Sequence, residues 1–262
     1  MRVVMLGSGG SAGVPLVGGP DGRGNWGVCD PNEPRNRRTR AAIVIESAGG
    51  ERLLVDTPPD LRAQLLACAI PRVDAILFTH AHADHIAGLD EVRILNRIVA
   101  RPLPACATAP VFAELARRFD YAFRPWRGPG FFRPAFETRA VIPGDTITLA
   151  GMDVRLFDQD HGFVHTLGLR VGCFAYSTDV LDLDEAAFAV LAGIDTWIVG
   201  CFQRFGPHVS HAHLEKVLGW TTRLSPRRTI LTHMSNDMDW SWLVSHLPPG
   251  VEPGYDGMVL TW

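Results

Sequence analysis

Lysine is nearly missing from this chain. Lys216 is the single lysine among 25 basic residues, so the positive charge is arginine. Arginine favours bidentate contact with phosphate or carboxylate, but a genome rich in G and C produces the same bias, and composition alone assigns no anion site. Cysteine is scarce and unpaired. Cys29, Cys68, Cys106, Cys173 and Cys201 form an odd set of five with no CxxC, which argues against a disulfide framework or a zinc knuckle and fits a reducing cytoplasm. No stretch approaches the roughly 20 apolar residues of a membrane span. Met1-Arg-Val-Val-Met-Leu-Gly7 meets glycine too early for a signal peptide. A net charge of −3 offers no grip on nucleic acid. No linker or composition break divides the 262 residues, so a single cytoplasmic domain with no membrane partner is expected.

Against these absences stands one dense stretch, Ile76-Leu-Phe-Thr-His-Ala-His-Ala-Asp-His-Ile-Ala-Gly-Leu-Asp90. Val73 to Phe78 reads as a buried strand. His80, His82, Asp84 and His85 follow within six positions, spaced by small alanines. In extended backbone, side chains two apart point the same way, so His80 and His82 can converge on one point. Asp84 and His85 can face a neighbouring point. Imidazole suits zinc, manganese, iron or nickel, and carboxylate draws the site toward harder cations. Two cations about 3.5–4 Å apart would use this donor set well. A solvated loop of surface histidines is the bland alternative, and this density of donors after an apolar run disfavours it.

The stretch is the HxHxDH signature of the metallo-β-lactamase fold. Thr79-His-Ala-His-Ala-Asp-His-Ile-Ala-Gly-Leu-Asp90 resembles its phosphodiesterase branch, which includes the phosphoribosyl 1,2-cyclic phosphate phosphodiesterases and, more distantly, ribonuclease Z. The resemblance implies a four-layer αββα sandwich, with two mixed sheets flanked by helices, over residues 1–262. It also carries roles onto later residues. Asp158-Gln-Asp-His-Gly162 makes His161 the third histidine of a first metal with His80 and His82. Asp179, ending Ser177-Thr-Asp179, matches the bridging aspartate. His233, ending Leu231-Thr-His233, completes a second metal with Asp84 and His85. His211, in Pro207-His-Val-Ser-His-Ala-His213, matches a histidine that protonates a leaving oxygen or steadies the phosphoryl group. A histidine of ordinary pKa near 6.5 suits that role. His211 and Asp84 are therefore the expected catalytic residues, with His208 a neighbouring substrate contact. Two divalent ions, zinc or manganese first among the candidates, are the implied cofactors. One cysteine-rich zinc site known in this branch has no counterpart here.

Other segments leave alternatives open. Gly7-Ser-Gly-Gly-Ser-Ala-Gly-Val-Pro15 lacks the lysine of a P-loop. It reads either as a tight turn or as an anion-binding turn near the metals. Residues 17–40 form a polar loop long enough to be functional. Within it Asn36-Arg-Arg-Thr-Arg40 offers Arg37, Arg38 and Arg40 to a substrate phosphate, or to Asp30 and Glu33 as a solvated face. Asp56, at the end of Leu53-Leu-Val-Asp56, is expected to accept the free N–H of a metal-bound histidine. Tyr121 to Phe136 is aromatic and rich in proline and arginine, either a flap over the active site or a partner surface, with the flap preferred. The reaction expected is hydrolysis of a small phosphodiester, such as a ribose cyclic phosphate, by a hydroxide held between the metals. The rival readings are a thioester or lactone hydrolase, because the same centre attacks carbonyls, and a non-catalytic carrier in cofactor biosynthesis. A homodimer is expected from the resemblance alone.

Overall fold

The computed structural model describes residues 1–126 and 128–262. Arg127, inside the aromatic Tyr121 to Phe136 stretch, lies outside the described residues. Two seven-stranded sheets carry the fold. The first sheet takes β1 (Arg2–Gly7), β2 (Ala42–Glu46), β3 (Arg52–Val55), β4 (Ala75–Leu77), β5 (Leu103–Ala107) and β6 (Phe136–Ala140). The second takes β7 (Thr146–Leu149), β8 (Met152–Asp160), β9 (His165–Val171), β10 (Phe174–Ser177), β11 (Thr196–Gly200), β12 (Arg228–Thr232) and β13 (Val251–Pro253). The last strand, β14 (Val259–Thr261), returns to the first sheet beside β1.

Strand periodicity explains the layering. On β1, Val3 and Met5 enter the core between the sheets, while Val4 and Leu6 enter the core under the helices. A strand covered on both faces reads as a continuous apolar run, as β1, β2 and β11 do. β8 instead alternates buried and exposed residues over most of its length. Val154, Leu156, Leu169, Tyr176 and Ile198 meet Val3, Ile43 and Leu53 across the gap between sheets.

Among the described residues, eight α-helices form the outer layers: α1 (Leu61–Ala67), α2 (Ala83–Ile86), α3 (Val92–Val99), α4 (Ala109–Arg118), α5 (Asp120–Phe123), α6 (Glu185–Leu191), α7 (Leu214–Leu224) and α8 (Trp240–His246). α1, α3 and α4 cover the first sheet through Leu61, Val92 and Leu115. α6, α7 and α8 cover the second through Leu191, Val217 and Leu243. This is the four-layer αββα sandwich expected. No helix among the described residues is long and apolar enough to cross a membrane.

The aromatic stretch, for which a flap is the preferred expectation, packs in its described residues against α3. Its described residues are moored on α3. Arg97 donates to the Gly130 carbonyl at 3.0 Å and stacks over Phe131, and Asn96 donates to the Ala135 carbonyl at 2.7 Å. Tyr121 Oη donates to Asp90 at 3.0 Å. Arg133 lies over the rings of Tyr121 and Phe131, while Trp126 and Phe131 keep part of their surface exposed.

Topology gathers the chemistry at one edge. β3, β4 and β5 run parallel, as do β10, β11 and β12. Their C-terminal ends deliver Asp56, Thr79-His80, Asp179, Phe202 and His233 to the same side, and the end of β8 adds His161. Sites outside the carboxyl ends of strands are the rule for such sheets.

Candidate metal centre

Two groups of donors form at that edge. His80, His82, His161 and Asp179 place one donor atom each within 4.8 Å of one another, and so do Asp84, His85, Asp179 and His233. Asp179 belongs to both. Its Oδ1 lies 3.6 Å from His161 Nε2, 3.9 Å from His80 Nε2 and 3.2 Å from His233 Nε2. Its Oδ2 lies 3.0 Å from His85 Nε2. Asp84 Oδ2 approaches His85 Nε2 at 3.4 Å and His233 Nε2 at 3.5 Å.

The surrounding hydrogen bonds assign which ring nitrogen is free. Asp56 accepts from Thr79 N and from Thr79 Oγ1, both at 2.8 Å, and faces His85 Nδ1 at 2.7 Å. A carboxylate only accepts, so His85 Nδ1 carries a proton toward Asp56 and the ring turns Nε2 toward Asp84 and Asp179. Thr79 has spent its single hydroxyl proton on Asp56. Its oxygen must therefore accept from His80 Nδ1, 2.9 Å away, which leaves His80 Nε2 bare. His161 Nδ1 donates to the Ser210 carbonyl at 2.6 Å and turns Nε2 toward His82 Nδ1. His80 Nε2, His85 Nε2 and both nitrogens of His233 are buried without a hydrogen-bond partner. Buried polar atoms left in that state require an explanation. Imidazole nitrogens without hydrogen-bond partners, converging on carboxylates, fit divalent cations of the zinc and manganese kind. No cysteine joins either group among the described residues.

The electrostatics follow from this crowding. Burial and then the charge on His85 push His80 well below its usual range. Burial opposes ionisation of Asp179, yet the His233 and His85 charges outweigh it and hold the carboxyl well below the carboxylate range. Burial likewise opposes protonation of His85, and the Asp179 and Asp56 carboxylates override it and raise the ring well above its usual value. Asp56, Asp179 and His233 all have positive φ, 67°, 49° and 54°. Non-glycine residues in that region cost energy and cluster at functional sites. Here each turns its side chain out of a strand end into the cluster.

His211 sits across both groups. Its ring stacks on His233 and on Phe202 with centroids 4.8 Å away in each case, meets His161 at 4.6 Å, and places Nδ1 4.0 Å from Asp179 Oδ1. The ordinary histidine pKa expected for it does not hold. Burial, then the charge on His233, lowers it to about 3. His208 is beside it, 5.1 Å between centroids.

The arginines do not gather here. Arg38 is buried, and its terminal nitrogens reach the Met238 carbonyl at 2.6 Å, Asn36 Oδ1 at 3.2 Å and the Ser235 carbonyl at 3.3 Å. It ties the loop to the segment after His233 and has no reach for a substrate. Arg40 pairs with Asp60 at 3.1 Å. Arg37 is exposed and stacks over Trp26 at 4.9 Å, lining a separate cavity with Tyr255 that none of the ligand-group residues lines. Asn36 Nδ2 donates to Asp239 at 2.8 Å, so Asp239 anchors this loop. The glycine turn does lie near the cluster. A Cβ on Gly10 would meet the Phe202 ring at 2.9 Å and His233 Cε1 at 3.5 Å.

Sequence reasoning missed Thr79, Ser210 and Phe202. Thr79 had a signal, being the hydroxyl residue directly before the first histidine. Ser210 acts through its backbone and Phe202 by shape, which no motif records.

Comparison with known proteins agrees with this architecture. Residues 51–234 match the β-lactamase superfamily domain. A crystal structure of a diphosphatase from the PhnP family superposes with a TM-score of 0.86 at 32% identity, over 99% of this chain and 97% of that one. Zn²⁺-bound PqqB from Methylobacterium extorquens superposes with a TM-score of 0.80 at 19% identity over 100% of both chains, a likeness of fold. An octanoyltransferase of Porphyromonas gingivalis is 30% identical over 259 residues, which are 98% of this chain and 51% of that protein. The chain thus spans about half the length of that relative.

Proposed function

The chain belongs to the β-lactamase superfamily, and from that premise we propose that it is a dinuclear metal-dependent hydrolase of a small phosphodiester. The observation that carries the reading is Asp179, a single carboxylate common to two donor groups, with His211 lying across both. His80, His82, His161 and Asp179 would hold one divalent cation, and Asp84, His85, His233 and Asp179 the other. Bound there, such cations polarise phosphoryl oxygens and bring the pKa of water toward neutrality.

The protein's own groups supply the rest. Asp56, Thr79 and the Ser210 carbonyl lock three imidazoles in the orientation that turns Nε2 inward. Asp84 and Asp179, ionised throughout the neutral range, offset positive charge at the centre. His211 is neutral at pH 7, so its part is to give one N–H to a phosphoryl or leaving oxygen as charge grows there, in place of delivering a proton as an imidazolium. Water adds to phosphorus, one ester oxygen departs with a proton, and a monoester and an alcohol result. The PhnP-family likeness favours phosphorus over carbonyl carbon. The octanoyltransferase likeness keeps thioester or ester hydrolysis as the rival.

The deciding experiment assays zinc- and manganese-loaded protein against an aryl phosphodiester, a cyclic ribose phosphodiester and an acyl thioester. Diester turnover abolished by chelation is expected. Thioester turnover alone would overturn the phosphodiesterase reading, and absence of all three with both metals bound would favour a carrier. His211→Ala should keep both metals and lose activity by about 10²–10³-fold, the usual cost of one lost transition-state donor.

A further inference from the structure

A cavity of about 700 Å³ opens directly beside the first donor group, with His80 and His82 in its wall. Pockets of this size bury most of a small ligand. The rest of the wall comes mainly from α4, the β8–β9 hairpin and the β6–β7 connection, and Pro110, Val111, Pro143, Val164 and Leu167 make it apolar.

Its charged residues are already spent on one another. Arg118 pairs with Glu114 at 3.1 Å and donates to the Ala81 carbonyl at 2.9 Å. His165 Nδ1 meets Asp158 at 2.6 Å. Thr166 Oγ1 accepts from Gln159 and donates to the Asp179 carbonyl at 3.1 Å. A sugar or nucleoside entering this space would lose water and find few free partners, a costly exchange. An alkyl or aryl group would lose nothing. At the rim Phe163 is 83% exposed, one residue before Val164. By contrast, a smaller cavity of about 350 Å³ beside Gly10 and Phe202 is walled in part by Gln203, Asn236 and Asp237.

We propose that the substrate carries an apolar ester arm, an alkyl chain or aryl group, which lies in the cavity between α4 and the β8–β9 hairpin while its phosphoryl group meets the two donor groups. The inference rests on the reading of those groups as the reacting centre. It makes Val111, Val164 and Leu167 specificity-determining residues, and it turns the preferred substrate from a free cyclic sugar phosphate to an amphiphilic diester.

Binding and turnover test it separately. Methyl-, butyl- and octylphosphonate are titrated calorimetrically into zinc-loaded protein, and 4-nitrophenyl diesters with the same alkyl arms are assayed. Affinity should rise by up to about fourfold per methylene, the equivalent of ~0.8 kcal/mol for each fully buried CH₂. Val164→Glu, at an exposed position that puts little of the fold at risk, should flatten that dependence, and Val111→Phe should cap it at shorter chains. Equal affinity for methyl and octyl, or a chain-length dependence that Val164→Glu leaves intact, would overturn the proposal. Steep binding without hydrolysis of any diester would support the cavity assignment and sink the phosphodiesterase reading. Diester turnover indifferent to chain length would do the reverse.

Discussion

The two donor groups share Asp179 and differ in almost everything else. The second is internal apart from half-buried Asp84. His85 and His233 are 0% and 1% exposed, and His85 is held by Asp56, itself fully buried. The first stands at the mouth. His80 and His161 are buried, but His82 is exposed and faces the large cavity. One group is thus built into the packing of the sandwich, and the other is built to meet something from outside. A site that must exchange ligands needs solvent access, whereas an internal charge cluster must be fully compensated to exist at all.

That contrast can be broken outright at its shared member. Asp179→Ala should empty both groups and abolish turnover, with metal content read by mass spectrometry. Two metals per chain at the wild-type rate would refute the bridging role. Next in size is a pair of substitutions. His85→Ala leaves Asp56 and Asp179 facing each other's charge in the interior, so metal-free protein should lose about 3–5 kcal/mol of stability. His82→Ala, at the exposed position, should stay within about 1 kcal/mol while weakening only the first metal. Equal melting curves for the two variants would remove the distinction between an internal and an open group.

Asp56→Asn probes the direct outer support of the second group and should weaken that metal by about 10–100-fold. It should weaken the first metal less, because Asp56 reaches His80 only through Thr79. The smallest effect concerns pH. His211 falls from its ordinary value near 6.5 to about 3 in the fold. The unfolded chain therefore binds the extra proton between those values, so this contribution is present above about pH 6.5 and is lost as pH falls toward 3. Thermal melts of metal-free protein should show that slope, and His211→Asn should reduce it. The same shift predicts no acid limb near pH 6.5 from His211 in kcat/KM.

How legible these features were in the sequence depended on how local their cause was. His80, His82, Asp84 and His85 share one strand end and one turn, so spacing alone brought them together. His161, Asp179 and His233 are far apart in the chain, and only likeness to a family placed them beside the first four. The Asn36 to Arg40 cluster misled because a run of guanidinium groups looks alike whether it faces solvent or carbonyls. Arg38 turned inward to Met238 and Asn36, and Arg40 found Asp60. Arg38→Ala should accordingly cost about 1–3 kcal/mol through stranded buried acceptors, against roughly 0.5 kcal/mol or less for exposed Arg37→Ala. Chemical denaturation of the two variants measures the gap.

The sequence by itself determined the apolar strands, their layering by period, the amphipathic helices and the metal-binding character of the stretch after β4. These depend on neighbours in the chain, which the sequence displays directly. Tertiary structure alone decided which nitrogen His80, His85 and His161 turn inward, that His211 is neutral, that the aromatic segment lies on α3, and that the space beside His82 is apolar. Each of those depends on groups brought within a few ångströms by folding, and neither burial nor the partner of a polar atom is written in the order of residues.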